Sequence, residues 1–176
     1  MPLVCLIGRH GSGKSTLGHA LAKQGYTHLS VGLLRRLAAH NEFPSDVPAV
    51  LMLALKRANA GGSLSSDVAK KLIRHASQFE NVVLDGFPTS LEHLDLLPAD
   101  VIFAVVWSPH HIRAQRLAAR SETSKRLWTP GRSSDRETML PLLIRNLRKS
   151  RQVVFVPNRL GAISIENLQQ KLSRTA

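Results

Sequence analysis

A glycine-rich loop near the N-terminus carries the residue types best suited to chemistry. Residues 8–15 read GRHGSGKS, with glycine at three positions, then a lysine and a hydroxyl side chain. Glycines let backbone N–H groups curl inward around an anion, and the positive end of a following helix strengthens that attraction. Lys14 can bridge the β and γ phosphates, and Ser15 can bind Mg²⁺. The loop therefore predicts a site for ATP or GTP.

The residues expected to hold this nucleotide belong to the loop and to the start of the next helix: Gly8, Arg9, His10, Gly11, Ser12, Gly13, Lys14, Ser15 and Thr16. Thr16 is expected on the α-phosphate side. His10 invites a catalytic role, although an exposed, variable loop position is the better interpretation. The alternative is a chance glycine-rich turn. It is disfavoured because an apolar, strand-like run precedes the loop and a helical pattern follows it.

The whole chain is strongly basic. Its 176 residues include 24 Lys and Arg against 12 Asp and Glu, a formal net charge of +12. We therefore expect anionic partners such as nucleotides, metabolite phosphates or nucleic acid. Aromatic residues make up only 5% of the chain, so surfaces on which bases could stack should be scarce.

The composition also indicates a compartment. The single cysteine, Cys5, excludes an internal disulfide, and its apolar surroundings place it in the core. The N-terminus lacks the basic and long apolar regions of a secretory signal, and no apolar run approaches the roughly 18 residues of a membrane span. We expect a cytoplasmic protein, monomeric or dimeric, without a membrane partner.

Apolar runs alternate with helical patterns along the chain. The runs rich in β-branched residues are 3–7, 82–84, 101–106 and 153–156, and the helical stretches are 14–23, 33–39, 47–60, 67–79, 112–120, 136–149 and 165–172. Nearly continuous apolar strands between helices are typical of a parallel sheet that is covered on both faces. We expect an α/β, three-layer P-loop NTPase fold, with a parallel five-stranded sheet and helices on both faces.

Several segments resemble the adenylate kinases, members of the nucleoside monophosphate kinase family of P-loop kinases. After the glycine-rich loop come HLSVGLLR at 28–35, GSLSSDV at 62–68 and VVLDGFPTSLEHLDLL at 82–97, in that family's order and at similar spacing. The match extends weakly to RLAAR at 116–120 and GRSSDRE at 131–137. The resemblance covers most of the chain and implies an ATP-dependent kinase, as a divergent member with a short flap.

The resemblance implies roles for individual residues. Asp85 of the DGFP segment would end a core strand beside the glycine-rich loop and orient Mg²⁺ through water, so Ser15 and Asp85 are the expected metal ligands. A cap for the turn at Gly86 is the alternative role for Asp85. The residues expected on the substrate side are Arg35, Gly32, Asp85, Gly86, Phe87, Thr89 and His93.

Arginines are expected to complete the catalytic site. Arg35 matches the family arginine that grips the acceptor phosphate, and Arg36 is an exposed neighbour that could substitute for it. Arg116 and Arg120 lie four apart on one helix face, so both could reach the same anion, and the resemblance implies that they contact ATP and the transferred phosphoryl group. A basic solvated face is the alternative for this pair. The expected catalytic set is Lys14, Arg116, Arg120 and Arg132, with Arg145 a weaker candidate.

The resemblance also divides the chain. We expect one P-loop kinase domain over residues 1–176, with a helical acceptor-binding insertion at 31–80 and a short basic flap at 121–135. The flap is predicted from its polar, basic composition and from Pro130 and Gly131, which break regular structure.

The substrate side departs from the adenylate kinase pattern. The family's Thr-Gly-Asp is replaced by Val31, Gly32 and Leu33, and its arginine and glutamine are replaced by Thr89 and His93. The missing arginine is a bidentate phosphate donor, and the missing amide can pair with a purine edge. The departures indicate an acceptor other than AMP.

Three functions are consistent with these observations. Phosphoryl transfer requires two anions held in line and no nucleophilic side chain of the protein. The first hypothesis is therefore a kinase of a nucleoside monophosphate or a similar phosphate-bearing acceptor. Its cofactors would be ATP and Mg²⁺. The second is a kinase of a non-nucleotide metabolite, which Val31, Leu33 and Thr89 favour. The third is an ATP-switched protein that binds RNA or a ribonucleoprotein through its basic surface.

Overall fold

The computed structural model describes residues 3–58, 62–124, 135–159, 162–163 and 166–173. The strands in these ranges are β1 Leu3–Ile7, β2 Thr27–Ser30, β3 Val82–Asp85, β4 Ile102–Trp107, β5 Gln152–Arg159 and β6 Ala162–Ile163. They form one sheet in the order β2-β3-β1-β4-β5-β6. Strands β1 to β5 pair in parallel, and β6 pairs antiparallel with β5. The predicted parallel five-stranded sheet is confirmed, with one short antiparallel strand added at its edge.

Helices cover both faces of this sheet, as predicted. They are α1 Lys14–Ala22, α2 Val31–Ala39, α3 Ala49–Arg57, α4 Ser66–Ala76, α5 His110–Ser124, α6 Asp135–Ser150 and α7 Glu166–Ser173, and a 3₁₀ turn spans Glu92–Leu94. One core holds side chains of α2, α3, α4 and α6, such as Leu51, Leu72 and Leu147. The other holds side chains of α1 and α7, such as Leu17 and Leu168. None of the described helices is long and apolar enough to cross a membrane.

Strand β1 lies in the middle of the molecule because its side chains are apolar on both faces. Val4, Cys5 and Leu6 have no exposed surface. Cys5 contributes to the core of α2, α3, α4 and α6, and its neighbours contribute to the other core. Burial raises the pKa of the Cys5 thiol far above its ordinary value. The prediction of Cys5 as a core residue is confirmed.

Strand β2 is missing from the sequence prediction. Its residues THLS include only one β-branched side chain and no continuous apolar run. In the structure, Thr27 to Ser30 pair in parallel with Val82 to Asp85. Backbone pairing with β3 therefore defines this strand, and residue composition does not.

The segment predicted as a flap, 121–135, is described only at its two ends. Helix α5 continues through Ser124, so residues 121–124 are helical. Residues 125–134, which include Arg132, lie outside the described residues, and Asp135 already belongs to α6. Helices α2, α3 and α4 fall within the segment 31–80, whose role as an acceptor-binding insertion stays a prediction.

The strand register places the ends of the central strands at one edge of the sheet. Leu6 of β1 pairs with Asp85 of β3, and Ile7 pairs with Val105 of β4. The glycine-rich loop, Asp85 and the start of α5 follow directly from these positions. The carboxyl edge of the sheet is where open α/β folds bind ligands.

Candidate active site at the glycine-rich loop

The glycine-rich loop joins β1 to α1. Gly8 has a φ of 151°, and a Cβ at this position would lie 2.3 Å from the carbonyl oxygen of Val106 at the end of β4. Gly13 has a φ of 99° and directly precedes α1, whose first turn carries no acidic residue. The first N–H groups of a helix have no partner within the helix, so this end of α1 can bind an anion.

Lys14 lies against the loop that precedes it. Its Nζ donates to the carbonyl oxygens of Gly8 and Arg9, each at 2.9 Å, and the residue lines a cavity that opens over the loop. Phosphate oxygens are charged acceptors and make stronger hydrogen bonds with an ammonium group than carbonyls do. A polyphosphate in the loop can therefore take over these contacts.

Asp85 ends β3 beside Ser15. The hydroxyl groups of Ser15 and Ser30 donate to Asp85 Oδ2 at 2.7 and 3.4 Å. Asp85 is only 4% exposed, and burial alone raises the pKa of its carboxyl. The contact with His28, the charge of Lys14 and the Ser15 hydrogen bond outweigh burial, so the pKa of Asp85 lies below its ordinary value. A carboxylate that stays ionised beside a hydroxyl supplies oxygen ligands that suit Mg²⁺.

His28 supports Asp85 from β2. Its Nε2 lies 3.6 Å from Asp85 Oδ2, and its ring packs edge to face against His19, with centroids 4.9 Å apart. A Cβ on residue 18 would lie 2.3 Å from the same Nε2. Gly18 in the middle of α1 therefore leaves the space that the His28 ring occupies.

Helices α5 and α6 both contact the backbone of the glycine-rich loop at His10, whose side chain is exposed. The His10 N–H donates to Glu137 Oε1 of α6 at 2.7 Å, and the His10 carbonyl accepts from Arg113 Nε of α5 at 3.2 Å. Burial lowers the pKa of Arg113, and the charge of Glu137 acts in the opposite direction. The Glu137 carboxylate thus accepts the His10 N–H hydrogen bond on the side of the loop from which a negatively charged ligand would approach.

Asn158 ties β5 to the loop. Its side-chain N–H donates to the Ser12 carbonyl at 2.8 Å, and its Oδ1 accepts from Arg116 at 3.1 Å. Arg116 also donates to the Gly11 carbonyl at 3.2 Å. Asn158 is 2% exposed. The loop backbone is therefore fixed from α5 and β5 before a ligand arrives, and such preorganisation lowers the cost of binding.

A cavity of about 420 Å³ opens over the loop. The predicted site residues that line it are Gly8, His10, Gly11, Gly13, Lys14, Ser15, Thr16, Gly32, Asp85, Gly86, Thr89 and Arg120. The predicted residues that do not line it are Arg9, Ser12, Arg35, Phe87, His93 and Arg116. The structure adds Ser30, Arg36 and Glu137 to the wall. Arg132 lies outside the described residues.

Thr89 and His93 form a hydrogen-bonded group with the loop before α4. Thr89 Oγ1 accepts from the Leu64 N–H at 3.0 Å and lies 2.9 Å from the Ser63 hydroxyl. His93 Nδ1 accepts from the Thr89 N–H at 3.1 Å, and Nε2 lies 3.0 Å from the Leu64 carbonyl. Because a carbonyl only accepts, these partners place the ring proton on Nε2. Both ring nitrogens are therefore engaged by the protein.

Phe87 lies directly on this group. Its ring stacks on the His93 ring, with centroids 5.0 Å apart and planes 14° apart, and neither residue has exposed surface. Phe87 and His93, predicted on the substrate side, thus lie beneath the cavity wall and not on it. Their position supports a structural role for both.

Neighbouring arginines of α2 face different surroundings. Arg35 donates to the carbonyl of Gly62 at 2.8 Å, and burial lowers its pKa. Arg36 lines the cavity. Arg35, the residue predicted to grip the acceptor phosphate, therefore lies off the cavity wall, and Arg36, the possible substitute, lies on it.

Some site residues could have been found from the sequence and others could not. Ser30 directly precedes a helical pattern, which is the position of a helix cap, and its hydroxyl accepts from the Leu33 N–H at 3.4 Å. Asn158 is a polar residue at the end of an apolar strand, which is a further signal. Nothing local identifies Glu137, because its partner His10 lies 127 positions away in the chain.

Three comparisons place the chain among known proteins. Residues 4–140 match the model of the AAA_18 family, described as an AAA domain. The chain is 27% identical over 184 positions to a UPF0200 protein of Pyrobaculum aerophilum, which covers 98% of this chain and 95% of the relative. It is similar to a gluconokinase from Sinorhizobium meliloti 1021, with a TM-score of 0.54, 17% identity, and coverage of 99% and 91% of the two chains.

These likenesses carry different weights. The gluconokinase likeness is low in identity and shows the fold alone, a parallel sheet covered by helices on both faces. The family match spans more than half of the chain and includes both the glycine-rich loop and Asp85. On that match, the chain belongs to the AAA_18 family of AAA domains.

Proposed function

We propose that the protein is an ATP-dependent kinase of the nucleoside monophosphate kinase type. It transfers the terminal phosphoryl group of ATP to a small phosphate-bearing acceptor. The observation that carries this proposal is the group of Lys14, Ser15 and Asp85 on one wall of the cavity. This group combines a cation for the phosphates with oxygen ligands for a metal. The adenylate kinase resemblance supplies the type of reaction.

The donor set fits magnesium. Ser15 and Asp85 would hold the ion, which when bound neutralises charge on the β and γ phosphates. Among the described residues, no group of three or more His, Cys, Asp or Glu is close enough to hold a metal ion. Phosphate oxygens and water would therefore complete the coordination, as magnesium prefers.

Binding and orientation are the work of this chain's own residues. Lys14 exchanges its contacts with the Gly8 and Arg9 carbonyls for phosphate oxygens. Arg120 of α5 and Arg36 of α2 both line the cavity and supply positive charge from different elements. An acceptor oxygen attacks the γ-phosphorus as the bond to the β–γ bridging oxygen breaks and ADP leaves.

Arg116 has a different place in this mechanism. Its guanidinium group donates to Gly11 and Asn158 and does not line the cavity. We assign it to positioning the loop. Arg132 remains a candidate that the flap would supply.

Lys14→Ala tests the proposal. We expect wild-type protein to bind MgATP in calorimetry and to transfer phosphate to at least one nucleoside monophosphate, and the variant to lose at least about a hundredfold in kcat/KM. Lys23→Ala, at an exposed position just after α1, is the matched control. Undiminished ATP-dependent transfer by Lys14→Ala would refute the proposal.

A non-nucleotide acceptor is the second candidate. It is favoured because Thr89 and His93 bond to the protein itself, so the family's arginine and glutamine contacts have no equivalent at these positions. A phosphorylation screen over nucleoside monophosphates and hydroxylated metabolites separates the two candidates. Turnover of a metabolite alone would establish the second.

A further inference from the structure

Exposed aromatic side chains are few, and two of them are neighbours. Among the described residues, the aromatic side chains that are clearly exposed are Phe43 at 38%, Trp107 at 50% and Phe155 at 47%. Trp107 ends β4, and Phe155 lies on the adjacent strand β5. Solvent exposure of a large aromatic ring is unusual in a stable monomer and marks an interaction site when such rings cluster.

The strand register puts these two rings on one face of the sheet. Trp107 pairs with Pro157, and Val105 pairs with Phe155. Residues two apart on a strand share a face, neighbouring strands lie about 4.8 Å apart, and two residues rise about 6.6 Å. The Cα atoms of Trp107 and Phe155 are therefore about 8 Å apart. Sheet-based RNA-binding domains use aromatic side chains on neighbouring strands to stack successive bases.

Each of these rings is paired with an arginine. Arg148 Cζ lies 5.8 Å from the Phe155 centroid, and Arg159 Cζ lies 5.7 Å from the Trp107 centroid. Both arginines are exposed. A guanidinium group binds phosphate and also stacks on flat rings. The surface thus combines groups that can stack on bases with groups that can bind phosphates.

The charge along α6 and β5 is mostly positive, with Asp135 and Glu137 confined to the first turn of α6. Positions 138–165 contain five Lys and Arg and no Asp or Glu. The chain as a whole carries +12. A second copy of the chain would bring like charges together at this surface, which opposes association. A polyanion with flat bases fits both the charge and the rings.

We propose that Trp107, Phe155, Pro157, Arg148 and Arg159, the aromatic-basic patch, bind single-stranded nucleic acid. Bases stack on the two exposed rings, and the arginines contact the phosphates. None of these five residues lines the cavity that contains Lys14, Ser15 and Asp85, although Trp107 lines a second cavity that borders Gly8, Arg9 and Ser12. The proposal therefore does not depend on the kinase activity, and Lys14→Ala should retain oligonucleotide binding.

Fluorescence anisotropy with a labelled single-stranded RNA oligonucleotide tests the patch. We expect Trp107→Ala and Phe155→Ala each to weaken binding at least about fivefold, because stacking on one aromatic residue contributes that much or more. In a Trp128→Phe background, Trp107 is the only tryptophan, and its fluorescence should be quenched when the oligonucleotide binds. Arg159→Ala should weaken binding and reduce its salt dependence.

Matched variants separate stacking from overall charge. Phe43→Ala removes an exposed aromatic ring outside the patch, and Arg74→Ala removes an exposed charge from α4. Both should bind as the wild type does. The proposal is overturned if Trp107→Ala binds as tightly as wild type, if duplex RNA or inorganic polyphosphate binds equally well, or if Trp107→Ala dissociates a dimer. That last outcome would mean that the patch is a dimer interface between two copies of the chain.

Discussion

The donor and acceptor sides of the cavity are built by different means. On the donor side, the glycine-rich loop leaves backbone N–H groups and Lys14 at the cavity, and Asp85 and Ser15 bond to each other at 2.7 Å beside them. On the acceptor side, Thr89 and His93 bond to Leu64, and Arg35 bonds to Gly62. The donor side presents Lys14, Ser15 and Asp85 to the cavity. On the acceptor side Arg35 and His93 bond to the protein instead, while Thr89 and Arg36 line the cavity.

The difference explains why the sequence constrains the nucleotide-donor site more tightly than the acceptor site. A loop that binds through its backbone depends on glycine spacing, which constrains the sequence strongly. Side-chain recognition can be moved to a neighbouring residue, and Arg36 lines the cavity where the resemblance indicates Arg35. The loop therefore ties the proposed nucleotide site to a fixed sequence pattern, whereas the proposed acceptor contact can shift by one position along α2.

Gly8→Ala should have the largest effect and acts on the donor side. The new Cβ would lie 2.3 Å from the Val106 carbonyl oxygen, a backbone atom that cannot move aside. We expect the unfolding free energy to fall by about 3 kcal/mol or more and MgATP binding to be lost. Chemical denaturation and calorimetry measure the two effects.

Gly25→Ala is the matched control for this change. Gly25 also has a positive φ, 91°, but nothing lies within 4 Å of a Cβ there. It should cost only the strain of a left-handed residue, about 1 kcal/mol, and leave MgATP binding unchanged. Equal losses in both variants would mean that the close approach of Val106 does not matter.

His93→Leu tests whether the acceptor side is structural. The change leaves the Thr89 N–H and the Leu64 carbonyl without their buried partner. Each unsatisfied group costs about 1–3 kcal/mol, so the unfolding free energy should fall by about 2–6 kcal/mol. The acceptor KM should stay unchanged, and His111→Leu, at an exposed position on α5, should change neither quantity. A raised KM with normal stability would restore the sequence prediction of a substrate contact.

Arg36→Ala and Arg35→Ala test the assignment of the acceptor-binding arginine against each other. Removing Arg36 from the cavity should raise the acceptor KM at least about tenfold, since a hydrogen bond to a charged group contributes about 1.5–3 kcal/mol. Removing Arg35 should lower the unfolding free energy by about 1–2 kcal/mol, because the Gly62 carbonyl loses its donor. Steady-state kinetics and denaturation measure both variants. The reverse pattern would return the role to Arg35.

The fold was predictable wherever burial decides the structure. Strand β1 is apolar at every position and was placed with the correct ends, Leu3 and Ile7. Strand β2 contains two polar side chains and a histidine among its four residues, so only its pairing with β3 identifies it. Residues 121–124 are polar and still helical because α5 continues through them.

The candidate site divides in the same way. Lys14 and Ser15 follow from a motif with fixed spacing, Asp85 is implied by the adenylate kinase resemblance, and the structure brings the three together. Asn158 contacts Ser12, 146 positions away in the chain, and Glu137 contacts His10 over 127 positions. Contacts of this kind depend on how α6 and β5 pack on the sheet, which no local pattern encodes.

Glu137→Gln should have the smallest effect and sharpens the account of the donor side. In the structure a carboxylate accepts from the His10 N–H at 2.7 Å, and its negative charge opposes the approach of a polyphosphate. The amide keeps an acceptor oxygen in the same place and removes the charge. We expect the affinity for MgATP to rise by up to about fivefold, measured by calorimetry.

A salt titration and a charge-matched variant decide whether the gain in MgATP affinity comes from the charge of Glu137 itself or from the change in net charge. Exposed charges are screened beyond about 10 Å at 0.1 M ionic strength, so the advantage of Glu137→Gln should shrink as salt is added. Glu80→Gln changes the net charge by the same amount at an exposed position after α4 and should leave the affinity unaltered. A loss of affinity in Glu137→Gln would instead mean that the carboxylate holds the His10 N–H in the conformation that the nucleotide needs. In that case Glu137 of α6 stabilises the loop backbone at His10 for nucleotide binding, and its charge does not repel the nucleotide enough to weaken binding.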